Sequence, residues 1–170
     1  TDLNQSQMAE MMSEIFDGKT TDAQVGAMMA ALATKGETFE ELAGAARAMR
    51  KKAHRIQVAT SPVVDTCGTG GDGSGTFNVS TASMFVAAAA GCHVAKHGNR
   101  SVSSKSGSAD ALESAGLRLD LTPEQVAQCV REVGVGFMFA PRHHSAMKHA
   151  IGPRKEMTVR SVFNVLGPLT

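Results

Sequence analysis

Four stretches of this 170-residue sequence hold residue types that do chemistry, and the first is a loop. Cys67-Gly68-Thr69-Gly70-Gly71-Asp72-Gly73-Ser74-Gly75-Thr76 places five glycines in ten residues, directly after Val63-Val64-Asp65. Gly68, Gly70 and Gly73 satisfy the spacing G-x-G-x-x-G, yet the dinucleotide reading fails on context. Ser-Gly-Thr-Phe follows Gly73 where a helix would open, and His93 stands about 20 residues on, where an acid is required. No Gly-Lys-Ser/Thr ends the loop, so it is not a Walker loop either. What remains is a run of bare N–H groups able to approach a phosphate or ribose closely, with Asp72 placed to accept from sugar hydroxyls.

The second stretch, Asn78-Val79-Ser80-Thr81, precedes an apolar run. Ser80 or Thr81 reads as the N-cap of a helix from about Ala82 to Gly91, and a helix N-terminus with free hydroxyls suits an anion. The third stretch, Lys96-His97-Gly98-Asn99-Arg100-Ser101-Val102-Ser103-Ser104-Lys105-Ser106-Gly107-Ser108, holds three cations and five serines in thirteen residues. Charge-assisted hydrogen bonds from such a set suit phosphates. The fourth runs from Pro141-Arg142-His143-His144 through His149 to Arg154. His144 and His149 are five apart, a poor match to a helical metal pair, so these histidines read as solvated surface groups and not as ligands.

The elements around these stretches change character near residues 56–62. Before that boundary the pattern is helical. Met8, Met11, Met12, Ile15 and Phe16 recur at helical spacing, with Gly18 to close the helix. Thr21-x-x-Gln24 and Thr38-x-x-Glu41 are capping boxes that open two more helices, the last ending in Arg50-Lys51-Lys52. Beyond the boundary short strands alternate with helices: Val63-Val64, Cys92 to Lys96 and Gly136 to Ala140, with helices near Ala109 to Ala115 and from Thr122-Pro123. That alternation predicts βαβ units and a parallel sheet. The expected fold is α/β: a small N-terminal all-helical domain over residues 1–60, then a parallel-sheet α/β domain over residues 61–170 that is incomplete in this chain.

Composition narrows the function. Lys plus Arg is 17 and Asp plus Glu is 16, a net charge of +1, so no basic stripe for nucleic acid is expected. Trp and Tyr are absent and Phe numbers 7, which leaves no aromatic platform for stacking bases. The longest apolar run, Met84 to Gly91, falls far short of the ~20 residues a membrane span needs. Cys67, Cys92 and Cys129 are odd in number and widely spaced, and the opening TDLNQSQMAEMM has no basic leader segment, so a cytoplasmic protein is expected.

Taken together, GTGGDGSGTFNVST, KHGNRSVSSKSGS, the FAPRHH stretch and RSVFNVLGPLT are similar to the anthranilate phosphoribosyltransferases. The resemblance implies a Mg²⁺-dependent enzyme of tryptophan biosynthesis. It would move the 5-phosphoribosyl group of phosphoribosyl pyrophosphate to the amine of anthranilate and release pyrophosphate. By resemblance Gly68, Gly71, Asp72, Thr76, Asn78, Val79, Ser80 and Thr81 contact phosphoribosyl pyrophosphate. So do Lys96, His97, Gly98, Asn99, Arg100, Ser101, Val102, Ser103, Ser104 and Ser108. Ser80 would be a Mg²⁺ ligand. Gly68, His97, Asn99, His144 and Arg154 would serve anthranilate, in an active site between the two domains. No catalytic acid–base residue is expected.

The resemblance further implies a homodimer through the helical domain and leaves association with anthranilate synthase open. Neither nucleic acid nor membrane is an expected partner. The family's Asp-Glu pair for Mg²⁺ falls beyond Thr170, so the 170 residues are expected to correspond to the first half of the enzyme and to be inactive and poorly folded alone. Two other readings stay open: a non-catalytic nucleic-acid binder on the same fold, and a pyrimidine nucleoside phosphorylase.

Overall fold

A computed structural model describes residues 1–59, 62–69, 75–101 and 106–170. Two compact units are present, residues 1–53 with 144–170, and residues 54–143.

The first unit is helical. Helices α1 (Gln5–Phe16), α2 (Asp22–Lys35) and α3 (Phe39–Lys52) each begin at a capping box, at Asn4, Thr21 and Thr38. Met8, Met12, Ile15, Val25, Met29 and Ala45 are buried at the centre. α1 and α3 cross closely because Gly44 has no side chain: a Cβ there would meet the Met8 Cβ at 2.9 Å. Glu41 is fully buried, and its carboxylate accepts from the Leu3 N–H at 2.9 Å, the Thr38 N–H at 2.9 Å and the Lys35 ammonium at 2.9 Å. Burial raises this carboxyl, but the three donors outweigh it and bring its pKa from 4.5 to about 2.

Residues 144–170 join the same unit. They form a 3-10 turn (Ser145–Met147), α8 (Lys148–Met157), α9 (Phe163–Leu166) and a second 3-10 turn (Gly167–Leu169). Ala150, Phe163 and Leu166 complete the helical core.

The second unit is built on a three-stranded parallel sheet in the order β1-β2-β3. Its strands are β1 (Val63–Val64), β2 (His93–Gly98) and β3 (Val135–Phe139), with Val64 beside Val94 and Lys96 beside Phe137. Helices α4 (Val79–Ala89), α5 (Ser108–Ser114) and α6 (Pro123–Val133) connect them, and α7 (Ala140–His143) ends the unit. Met84, Val94, Ala109, Leu112 and Phe137 form its core. α6 starts as its sequence predicts, with Thr122 capping and Pro123 in the first turn, and ends at Gly134 in the left-handed conformation.

Three sequence expectations need correction. The helix expected from Ala82 begins at Val79, and its N-cap is Asn78 instead of Ser80 or Thr81, because the Asn78 carbonyl already accepts from the N–H groups of Thr81 and Ala82. Strand β2 runs on to Gly98, since its pairing with β3 continues through His97 beside Met138 and Gly98 beside Phe139. His143 and His144 are buried, not solvated. His143 is held by the His54 carbonyl, 3.0 Å from its Nδ1, and His144 has the Thr170 hydroxyl 3.5 Å from its Nε2.

Candidate active site

In open parallel sheets ligands bind beyond the carboxyl ends of the strands. In the second unit β1 leads there into the glycine-rich loop, and β2 leads into the polar loop after Lys96. Gly71, Asp72, Val102, Ser103 and Ser104, five of the expected contacts, lie outside the described residues. The others can be placed.

The base of the glycine-rich loop is fixed by side chains. Asp65 accepts from the Cys67 N–H at 2.9 Å, and the Thr66 hydroxyl donates to the Ser80 carbonyl at 2.8 Å, so the loop is tied to the first turn of α4. Gly68 is open: a Cβ there would meet nothing within 4 Å. Asn78 does not cap α4 with its side chain. Its amide instead donates to the Gly107 carbonyl at 3.2 Å, which joins the helix start to the second loop. Val79 and Thr76 are exposed, Ser80 is half-buried, and Thr81 is buried with a hydroxyl that has no partner among the described residues.

Lys96 is fully buried and donates to the His97 carbonyl at 3.3 Å. Burial lowers the pKa of its ammonium, and the Cys67 and Asp65 side chains oppose that shift. Burial, with His143 and Lys96 adding to it, brings His97 from 6.5 to about 4, so its ring is neutral at physiological pH. The His97 Nδ1 lies 3.8 Å from the Cys67 sulfur. At Gly98 a Cβ would meet the Phe137 ring at 2.7 Å, so the residue is small for packing against β3.

Arg100 is engaged. Its guanidinium forks onto Glu113 at 2.7 and 2.9 Å and reaches Asp110 at 3.1 Å, 5.9 Å above the Phe139 ring centroid. Asp110 also accepts from the N–H groups of Ser101 at 2.9 Å and Gly107 at 2.8 Å. The Ser108 hydroxyl donates to the Asn99 carbonyl at 3.3 Å. The Arg100 side chain therefore staples the loop, and Asp65, Thr66 and Asp110 act there without having been singled out from sequence. Asp65 was the readable one, a lone acid between a strand and a glycine run.

The remaining expected residues belong to the helical unit. His144 is buried beside Phe16, Met49 and Met147. Arg154 is half-buried on α8, its guanidinium 5.4 Å from the Phe163 ring centroid. Burial lowers its pKa, and no described carboxylate opposes the shift. Among the described residues no group of three or more His, Cys, Asp or Glu could hold a metal ion.

Two profiles of one family match the chain. The helical bundle domain of the glycosyl transferase family covers residues 1–53, and its a/b domain covers residues 60–170. The chain belongs to the glycosyl transferase family. An anthranilate phosphoribosyltransferase of Desulfosudis oleivorans is 66% identical over 99% of this chain and 50% of its own length. The crystal structure of the Thermus thermophilus anthranilate phosphoribosyltransferase is 45% identical with a TM-score of 0.94, over 100% of this chain and 52% of that one. The Saccharomyces cerevisiae enzyme, solved with PRPP and Mg, is 28% identical with a TM-score of 0.88, over 98% of this chain and 50% of that one. The chain spans about half the length of the curated relatives it matches. No helix among the described residues is long and apolar enough to cross a membrane.

Proposed function

We propose that this chain supplies the phosphoribosyl pyrophosphate grip of an anthranilate phosphoribosyltransferase. The observation that carries the reading is the joining of three segments at the carboxyl ends of β1 and β2. The loop base at Cys67, the α4 start at Asn78 to Thr81 and the loop after Lys96 are linked by bonds that Thr66 and Asn78 donate and one that Asp65 accepts from the His97 N–H. Relatives named for this reaction match across all three.

In that reaction the anthranilate nitrogen attacks C1 of the ribose, the C1–O bond to pyrophosphate breaks, and the amine gives up a proton. Positive charge grows on the ribose and negative charge on the leaving group. In this reading Lys96, the backbone N–H groups around Gly68 and the hydroxyls of Ser80 and Thr81 answer that leaving charge. An aromatic amine attacks without a strong base, so positioning carries the rest. The oxygen donors available fit Mg²⁺. Ser80 would be one ligand, and diphosphate oxygens and water supply the others, as this ion prefers. Bound there, Mg²⁺ would neutralise charge on the departing pyrophosphate. Asp72, Val102, Ser103 and Ser104 complete the grip in this reading. Gly68, His97, Asn99, His144 and Arg154 serve anthranilate, with Arg154 as the fork for its carboxylate.

The free thiols of Cys67, Cys92 and Cys129 fit a reducing cytoplasm. The exposed Phe39 at the start of α3 favours a homodimer through the helical domain. Calorimetric titration with phosphoribosyl pyrophosphate of these 170 residues joined to the second half of the Desulfosudis oleivorans relative tests the grip. Saturable binding that Mg²⁺ strengthens and free pyrophosphate competes is expected, and heat no different from buffer overturns it.

A further inference from the structure

We infer that Asp65 is a positioning residue that clasps the two substrate loops together and sets their relative pose. This rests on the reading of those loops as the phosphoribosyl pyrophosphate grip. Val64 pairs with Val94, so Asp65 is the first residue beyond the end of β1, beside the strand that carries Lys96 and His97. One oxygen, Oδ1, accepts two N–H groups: Cys67 at 2.9 Å, which opens the glycine-rich loop, and His97 at 3.1 Å, the last residue of β2 but one, before the polar loop. No backbone bond of the ladder could do this, because the β1–β2 pairing ends at Val64 and Val94.

The same two loops meet again where the Cys67 sulfur lies 3.8 Å from the His97 Nδ1. A single side chain thus ties the start of the glycine-rich loop to the end of β2 that leads into the polar loop.

The test joins these 170 residues to the second half of the Desulfosudis oleivorans relative and compares the wild type with Asp65→Ala and Asp65→Asn by amide hydrogen exchange and by affinity for phosphoribosyl pyrophosphate. In Asp65→Ala the Cys67 and His97 amides should lose protection together, at least tenfold, while the Val94 amide, bonded to the Gly134 carbonyl at 2.8 Å, keeps its own. The dissociation constant should rise at least tenfold. Asp65→Asn retains the acceptor oxygen and should hold both amides and the affinity within about threefold of wild type. Unchanged protection at either amide in Asp65→Ala overturns the clasp, as does unchanged affinity in a variant that has lost protection at both. If Asp65→Ala unfolds, Asp65→Asn decides: rescue of both amides supports the clasp, and loss of either overturns it. A wild-type chain that binds no phosphoribosyl pyrophosphate refutes the function proposed above, and the paired loss of the two amides then still supports the clasp.

Discussion

Arg154 is a guanidinium half out of water with an aromatic ring beside it and no described carboxylate to answer its charge. Losing such a fork from a carboxylate substrate costs on the order of 1.5–3 kcal/mol. Arg154→Ala should therefore raise the KM for anthranilate by roughly ten- to hundredfold and leave that for phosphoribosyl pyrophosphate within a few-fold. Equal effects on both would remove Arg154 from the acceptor site. The pH dependence of stability follows from Glu41 and His97. Glu41 titrates near 2 when folded against 4.5, so its contribution is full above about 4.5 and lost as pH falls toward 2. His97 is lowered to about 4 from 6.5, so the unfolded chain binds more protons between those values and stability falls as pH drops through that window. Urea midpoints should thus decline from pH 6.5 to 4, with the His97 ring resonances unshifted between pH 6 and 8. A His97 titration near 6.5 would show a ring exposed to water instead. What sequence could not reveal at this scale is pairing. KHGNRS reads as free cations, yet Arg100 is committed to Glu113 and Asp110, ten and more residues away. His143 and His144 read as surface groups because their partners, the His54 carbonyl and the Thr170 hydroxyl, are 89 and 26 residues away in sequence.

Among the elements, the α4 start separates capping from ligation. Asn78 is the N-cap and α4 has no side-chain cap bond, so the Ser80 hydroxyl does not cap the helix. Ser80→Ala should raise the Mg²⁺ concentration for half-maximal binding of phosphoribosyl pyrophosphate and shift the Tm by no more than a degree or so. A change in Tm alone would make the hydroxyl structural. Gly44 makes the opposite case. A Cβ at Gly44 would press on Met8 and the α1 backbone, and overpacking of this kind costs about 1–3 kcal/mol. Gly44→Ala should lower the Tm, followed by circular dichroism, by several degrees, and an unchanged Tm would show that the α1–α3 crossing can relax. Local grammar made these elements legible. Thr21, Thr38 and Thr122 each cap where the T-x-x-Q/E pattern predicts, and the parallel sheet follows from strands alternating with helices. Element ends were less so. β2 reaches Gly98 only because β3 continues to pair beside it, a register that no local pattern encodes.

At the scale of the molecule, residues 144–170 return to the helical unit, where Phe163 and Leu166 fill its core. No periodicity in RSVFNVLGPLT announces that return, because it is set by a core assembled from the other end of the chain. The second unit leaves Val63, Val64, Phe77, Phe85 and Val86 exposed, an apolar surface that a parallel sheet ordinarily covers. Since the chain spans half the length of its relatives, we expect turnover to require the remainder of that length, supplied in the same chain or in trans. The most direct test joins these 170 residues to the second half of the Desulfosudis oleivorans relative and follows anthranilate fluorescence with phosphoribosyl pyrophosphate and Mg²⁺. The account predicts loss of the anthranilate signal with one pyrophosphate released per acceptor consumed, no reaction when either substrate is omitted, and no phosphorolysis of thymidine or uridine. A folded chimera that leaves anthranilate untouched, or one that cleaves a pyrimidine nucleoside with phosphate, would contradict it.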